Sequence, residues 1–325
     1  MRPRILLRFG LFLFTAYLAV SLLSGVFLAE GTLHPGRHAL SNQDEMQARE
    51  MARARDSVLA EVAIPATDGI VLSAWNIRPR NNNGDVVILL HGLSDNRLGM
   101  IGYAELLLGR GFSVLMPDAR AHGSSGGELA TYGLRESDDI HAWFDWLQQN
   151  QHPNCIFGFG ESMGAAQLLQ SLQSGQGFCA VAAESPFSSF REIAYDRVGQ
   201  FFHTGPWLGR TILRPVVEVA FGYARWKYTL NFELVSPESI VAATRVPVFL
   251  IHGQSDSNIP IRHSRRIAVK NPRLTLWEVP DTDHCGAIST SPQQFEQRLT
   301  YWFDGHSNRQ DLSTGSFTWR NATVD

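Results

Sequence analysis

Apolar residues follow two different rhythms along this chain. Residues 9–29 form one uncharged, almost wholly apolar run, with Arg2, Arg4 and Arg8 just before it. From residue 58 onward, short apolar runs alternate with stretches of helical period. Residues 58–64 and 70–77 flank Thr67-Asp68-Gly69 and predict a hairpin. Strands are then expected at 86–90, 112–116, 155–159, 178–183, 246–251 and 273–279. Helices are expected at 98–108, 134–150, directly after Ser162, 262–270 and 292–303. Largely continuous apolar strands between helices predict a mostly parallel, eight-stranded sheet covered on both faces.

Two stretches stand outside this alternation. Residues 9–29 would make a helix of roughly 31 Å at about 1.5 Å per residue, enough to cross the hydrocarbon of a bilayer. A cleavable signal peptide is the alternative. Its apolar stretch is usually about 7–15 residues long, however, and Phe27-Leu28-Ala29 makes a poor cleavage site. An uncleaved single-pass signal anchor over 1–30 is therefore expected. The arginines would keep the N-terminus cytoplasmic and place the catalytic domain outside. A short turn at 31–36 and a linker helix over 41–55, with Ser41 and Asp44 spaced as a capping pair, complete a juxtamembrane segment at 31–57. The second stretch, 186–243, is dense in aromatic residues, among them Phe187, Phe190, Trp207, Phe221 and Trp226. It predicts a helical cap over the sheet's active edge, with some rings in its own core and others lining an acyl or aryl pocket. Residues 304–325 are polar and aperiodic, and read as a mobile tail.

Composition narrows the chemistry. With 28 basic and 31 acidic residues the chain has no basic excess for nucleic acid. The three cysteines fit no disulfide framework or Cys-x-x-Cys metal site. Cys155 and Cys179 are expected as buried thiols, able to pair only if their strands lie side by side, and Cys285 as a packing side chain. His34 and His38 approach ligand spacing, but Pro35 and Gly36 break the helix such a metal site needs.

The informative motif is Gly160-Glu161-Ser162-Met163-Gly164, between a predicted strand and a predicted helix. This is the pattern of a nucleophile elbow, whose serine stands clear of the sheet on a strained turn. A serine hydroxyl needs a base to take its proton, and the base needs a carboxylate to orient it. His284, just beyond the last strand, is the candidate base. Asp256, after His252-Gly253-Gln254-Ser255, is the candidate acid, with Asp281 and Asp283 as neighbouring alternatives. Two backbone N–H groups should hold the oxyanion: Met163 directly after the serine and Leu93 in the loop after the third strand. His91 reads as a loop-ordering residue, and Asp118 and Arg120 as a structural pair.

Residues from about 58 to 303 resemble the α/β-hydrolase superfamily, in the branch of serine-aminopeptidase-like and monoacylglycerol-lipase-like enzymes. The resemblance is carried by His91-Gly92, Asp118-x-Arg120-x-His122-Gly123-x-Ser125, the Gly160–Gly164 elbow, His252-Gly253-x-x-Asp256 and Asp283-His284. It implies the α/β-hydrolase fold and an acyl-enzyme mechanism on an ester, thioester or amide. Oligopeptidases of the superfamily often carry a second glycine after the elbow, where this chain has Ala165, and an N-terminal propeller, which it lacks. The expected activity is that of a membrane-anchored serine hydrolase cleaving carboxylic esters of small-molecule or lipid-like acyl substrates, with no cofactor and no metal. A serine peptidase or acyl thioesterase is the catalytic alternative. A non-catalytic, membrane-tethered binding protein is the alternative of another class, and the intact serine, acid and base argue against it.

Overall fold

The computed structural model describes residues 3–174 and 177–307. It opens with a long helix, α1 (Pro3–Leu33), and a shorter one, α2 (Asn42–Ala54). The hairpin β1 (Ser57–Pro65) and β2 (Val71–Pro79) leads to β3 (Val86–Leu90), α3 (Ile101–Leu108), β4 (Ser113–Pro117) and α4 (Glu136–Gln151). Next come β5 (Ile156–Glu161), α5 (Ser162–Ser171) and β6 (Ala180–Glu184). The chain then leaves the sheet for α6 (Phe190–Phe201), α7 (Trp207–Arg210), α8 (Arg214–Tyr228) and α9 (Pro237–Ala243). It returns as β7 (Val248–Gly253), α10 (Arg262–Lys270), β8 (Thr275–Val279), α11 (Ala287–Thr290) and α12 (Pro292–Asp304).

The eight strands form one sheet in the order β1-β2-β4-β3-β5-β6-β7-β8. β1, β2 and β4 pair antiparallel, and all remaining pairs are parallel. Strand alternation divides the core in two. Val87, Leu89, Phe157 and Phe159 point to the face covered by α2, α3 and α12, whereas Val86, Ile88, Leu90 and Ile156 point to the face covered by α4, α5 and α10. α2 carries the expected capping box: the Asp44 N–H donates to Ser41 Oγ, and the Ser41 N–H to Asp44 Oδ2. Its Ala48 and Ala52 seal the first face.

Three expectations need correction. The turn expected at residues 31–36 begins later; α1 runs through Gly31 to Leu33, and the chain leaves the helix only at His34. Leu33 is buried in a cluster with Ala130, Tyr132, Met163 and residues of the helical insertion, its carbonyl accepts the Ala130 N–H, and Thr32 O accepts the Tyr132 hydroxyl. These contacts hold the last turn helical to Leu33. Cys155 and Cys179 are joined as a disulfide, Cα–Cα 5.7 Å, rather than free. Each residue directly precedes one of two adjacent parallel strands, and the register Phe157↔Ala180 sets them side by side. Asp118 and Arg120 do not pair. Asp118 accepts the Arg97 and Ser124 N–H groups, while Arg120 makes a two-pronged bridge to Asp139 at 2.7 Å and a third contact to Asp68. Arg2 and most of the tail, 308–325, lie outside the described residues.

Leu6–Leu33 is the one helical segment among the described residues long and apolar enough to cross a membrane. Its C-terminal half packs along α8. The helical insertion sits against the start of α5, where Met163 and Ala166 join Phe187, Phe190 and Phe232 in one cluster. Phe190 stacks on Phe232 with centroids 4.4 Å apart, so part of the aromatic content is the insertion's own core.

Candidate active site

Ser162 sits where β5 gives way to α5, with φ of +51°, a left-handed value that a side chain rarely adopts. The glycines around it are there for want of space. A Cβ at Gly160 would lie 2.6 Å from the Gly164 carbonyl carbon, and one at Gly164 would lie 2.3 Å from Leu90 O. With both absent, the turn tightens enough to lift the serine above the carboxyl end of the sheet.

Three loops then meet at the hydroxyl. His284 Nε2 is 2.9 Å from Ser162 Oγ, and His284 Nδ1 is 2.8 Å from Asp256 Oδ2. A carboxylate only accepts, so Nδ1 carries the hydrogen and Nε2 is left free to take the serine proton. Asp256 is buried, and its other oxygen accepts the Asn258 and Ile259 N–H groups at 3.0 and 2.8 Å. Burial alone would raise this carboxyl, but hydrogen bonds from His252 and His284 outweigh it and hold the group well below the usual carboxylate range. Of the alternative acids, Asp283 accepts the Ser257 N–H at 2.9 Å and ties the histidine loop to the Asp256 turn. The geometry therefore brings together Ser162, His284 and Asp256.

Met163 and Leu93 line the same cavity as Ser162. The first N–H groups of a helix lack an intrahelical partner, which leaves that of Met163 free to face a ligand. His91 orders the loop before Leu93: it accepts the Ala119 N–H at Nε2 and donates from Nδ1 to Gly92 O. The cavity measures about 380 Å³, within the roughly 300–1,000 Å³ typical of small-ligand pockets. Phe187, Phe190, Phe221 and Phe232 of the insertion make it mostly apolar. Among the described residues, no group of three or more His, Cys, Asp or Glu side chains is placed to hold a metal ion.

Sequence reasoning missed a buried acidic cluster behind the serine. Glu161 and Glu184 both meet the Tyr103 hydroxyl, and Glu184 also accepts the Ala287 N–H from beyond the histidine loop. Burial is the main cause that lifts both carboxyls to about 7. Burial, with these carboxylates nearby, also pushes the Cys285 thiol up, away from the reactive thiolate. Glu161 is visible in the motif and Glu184 at a strand end, but nothing local joins them to Tyr103. A second missed group pins the insertion. Asp196 of α6 accepts from His263 Nε2 at 2.6 Å and from Arg262, both on α10.

This constellation at the carboxyl edge of a mixed sheet is shared with known proteins. Residues 87–298 match the alpha/beta hydrolase family, and the chain belongs to that family of hydrolases. The chain is 28% identical over 246 residues to the uncharacterized protein YqkD of Bacillus subtilis, covering 74% of this chain and 78% of that protein. Its fold is similar to the Pyrococcus furiosus esterase Pf2001 (TM-score 0.65, 25% identity), over 84% of this chain and 98% of that one. It also resembles the Pyrococcus horikoshii acylaminoacyl peptidase in fold (TM-score 0.60, 16% identity), over 80% of this chain but 43% of the peptidase.

Proposed function

We propose that this chain is a membrane-tethered serine hydrolase that cleaves carboxylic esters through an acyl-enzyme on Ser162. The observation that carries the reading is the relay from Ser162 Oγ through His284 to Asp256, with contacts of 2.9 and 2.8 Å, at an apolar cavity. Likeness to an esterase that matches over nearly its whole length supports the choice of ester.

In the first half-reaction, Ser162 Oγ forms a bond to the acyl carbon as its proton passes to His284 Nε2. The carbonyl oxygen becomes an oxyanion held by the Met163 and Leu93 N–H groups; each such donor contributes about 10²–10³ in rate. Asp256 stays ionised and stabilises the imidazolium. When the tetrahedral species collapses, the bond to the alkoxy oxygen breaks and His284 Nε2 protonates the leaving alcohol. Water then adds to the acyl carbon, giving its proton to His284. The second collapse breaks the bond to Oγ, returns the proton to Ser162 and releases the carboxylic acid.

Tethering rests on the apolar run of α1, preceded by Arg2, Arg4 and Arg8, which favour a cytoplasmic N-terminus. The Cys155–Cys179 disulfide supports an oxidising, extracytoplasmic location for the catalytic domain. A fluorophosphonate probe tests the nucleophile: it should label the unaltered chain and leave Ser162→Ala unlabelled. A panel of acyl esters, acyl thioesters and aminoacyl amides tests the substrate. Faster turnover of thioesters or amides than of esters would replace the ester reading.

A further inference from the structure

The cavity beside Ser162 is not walled by the insertion alone. Leu28, Ala29 and Thr32 of α1 line it together with Ala220 and Phe221 of α8. The apolar N-terminal helix is thus part of the pocket as well as a lead into the domain.

The packing explains how it reaches there. Ser21, Gly25, Ala29 and Leu33 are buried at a spacing of four, which forms one stripe along the helix. Gly25 allows the closest approach: a Cβ there would lie 2.5 Å from Val219 Cγ1 and 2.7 Å from Val216 O. Polar contacts close the seam at both ends. The Tyr17 hydroxyl donates to Ile212 O, and Glu30 accepts from Tyr223, Tyr228 and Lys227. Tyr17 and Glu30 lie roughly 20 Å apart along the helix at about 1.5 Å per residue.

The opposite side of this stretch is apolar and open. Leu22, Leu23 and Phe27 are exposed, as are Phe201, Phe202, Trp207 and Ile212 on the segment that meets the Tyr17 end of the seam. If α1 lies in a bilayer, these side chains face lipid and the pocket is one helix diameter, about 10 Å, from it. An acyl chain dissolved in that lipid then reaches Ser162 along apolar surface.

We propose that α1 is both the membrane helix and the specificity wall of the acyl pocket. Its side chains at Leu28, Ala29 and Thr32 set the length of acyl chain that Ser162 accepts, and the substrate is an aliphatic acyl ester drawn from the lipid phase. This rests on the ester reading of the site. The test uses the full chain in lipid vesicles, with p-nitrophenyl acetate and decanoate as probes. Leu28→Trp shortens the pocket and should lower kcat/KM for decanoate about tenfold more than for acetate, in keeping with what a few methylenes are worth in an apolar pocket. Leu28→Ala should shift the ratio the other way. Gly10→Leu lies on the same helix beyond the cavity, where a Cβ meets nothing, and should leave the ratio unchanged. An unmoved ratio in both Leu28 variants, or an equal shift in Gly10→Leu, overturns this inference alone. Failure of the unaltered chain to cleave either ester overturns the ester reading and this inference with it.

Discussion

Glu161, directly before the serine, and Glu184, at the end of the neighbouring strand, share the one hydroxyl of Tyr103, each at 3.2 Å. A phenol has a single proton to donate. Both contacts are satisfied together only when one carboxyl is itself protonated and donates to the phenolic oxygen. That agrees with burial lifting both groups to about 7.

A stability consequence follows. A carboxyl raised from 4.5 to about 7 in the folded state favours folding at low pH, and that advantage is lost as pH climbs through this window. Glu184→Gln keeps the shape but cannot ionise. Between about pH 5 and 8, the unaltered chain should lose on the order of 1–3 kcal/mol relative to Glu184→Gln. Thermal unfolding at stepped pH reads the difference directly. Equal slopes for the two proteins would show that the shared proton is not there.

Removing members of the relay should give unequal losses. Ser162→Ala removes the attacking oxygen and should abolish turnover to the detection limit. Asp256→Asn keeps the packing but no longer fixes the hydrogen on His284 Nδ1, and should lower kcat by about 10³–10⁴. The prediction for the two alternative acids differs. Asp281→Asn and Asp283→Asn should leave kcat within about tenfold, since neither carboxylate takes the hydrogen bond of His284 Nδ1. Single-turnover kinetics of the four variants, with circular dichroism to verify folding, check this ordering.

The parts legible in the sequence were those that local spacing encodes. Gly160 and Gly164 announce Ser162 because the turn excludes any Cβ, and Asp256 and His284 fall just past strands whose apolar runs are plain. The eight strands followed from periodicity in the same way, and the helical insertion from the break in it and the aromatic density of 186–243. What escaped was fixed by strand order and by packing between distant segments. Cys155 meets Cys179 only because β5 lies beside β6. Arg120 turns to Asp139 and Asp68 rather than to Asp118, because Asp118 is already taken by backbone N–H groups. The run through Gly31 to Leu33 is helical because distant segments hold it: the Tyr132 hydroxyl, a hundred residues on, donates to Thr32 O, and Leu33 is buried with Ala130, Tyr132 and aromatic residues of the insertion.

The disulfide gives a third prediction. It closes a loop across 24 residues of sequence separation, which includes the elbow and all of α5. Opening such a loop should cost about 2–4 kcal/mol by releasing constraint on the unfolded chain. Cys155→Ser with Cys179→Ser should lower the unfolding temperature while leaving kcat near that of the unaltered chain, because neither cysteine touches the cavity. A fall in kcat at a temperature where the variant is fully folded would mean that the bridge also positions Ser162.

The seam between α1 and α8 supplies the last. Gly25 is in contact with Val216 and Val219 on α8, and no rotamer of a larger residue avoids them, since even a Cβ collides with backbone at Val216 O, 2.7 Å away. Gly25→Leu must therefore push the helices apart. Overpacking of this kind costs about 1–3 kcal/mol, and because Leu28 and Ala29 follow within one turn, the pocket wall moves with it. The expected result is a lower unfolding temperature together with weaker binding of long acyl esters, read as a raised KM. Gly10→Leu, which adds the same bulk to the same helix where nothing is near, should change neither. Were the two variants to unfold alike and bind alike, α1 would not be packed on α8, and its proposed part in the pocket wall would fall.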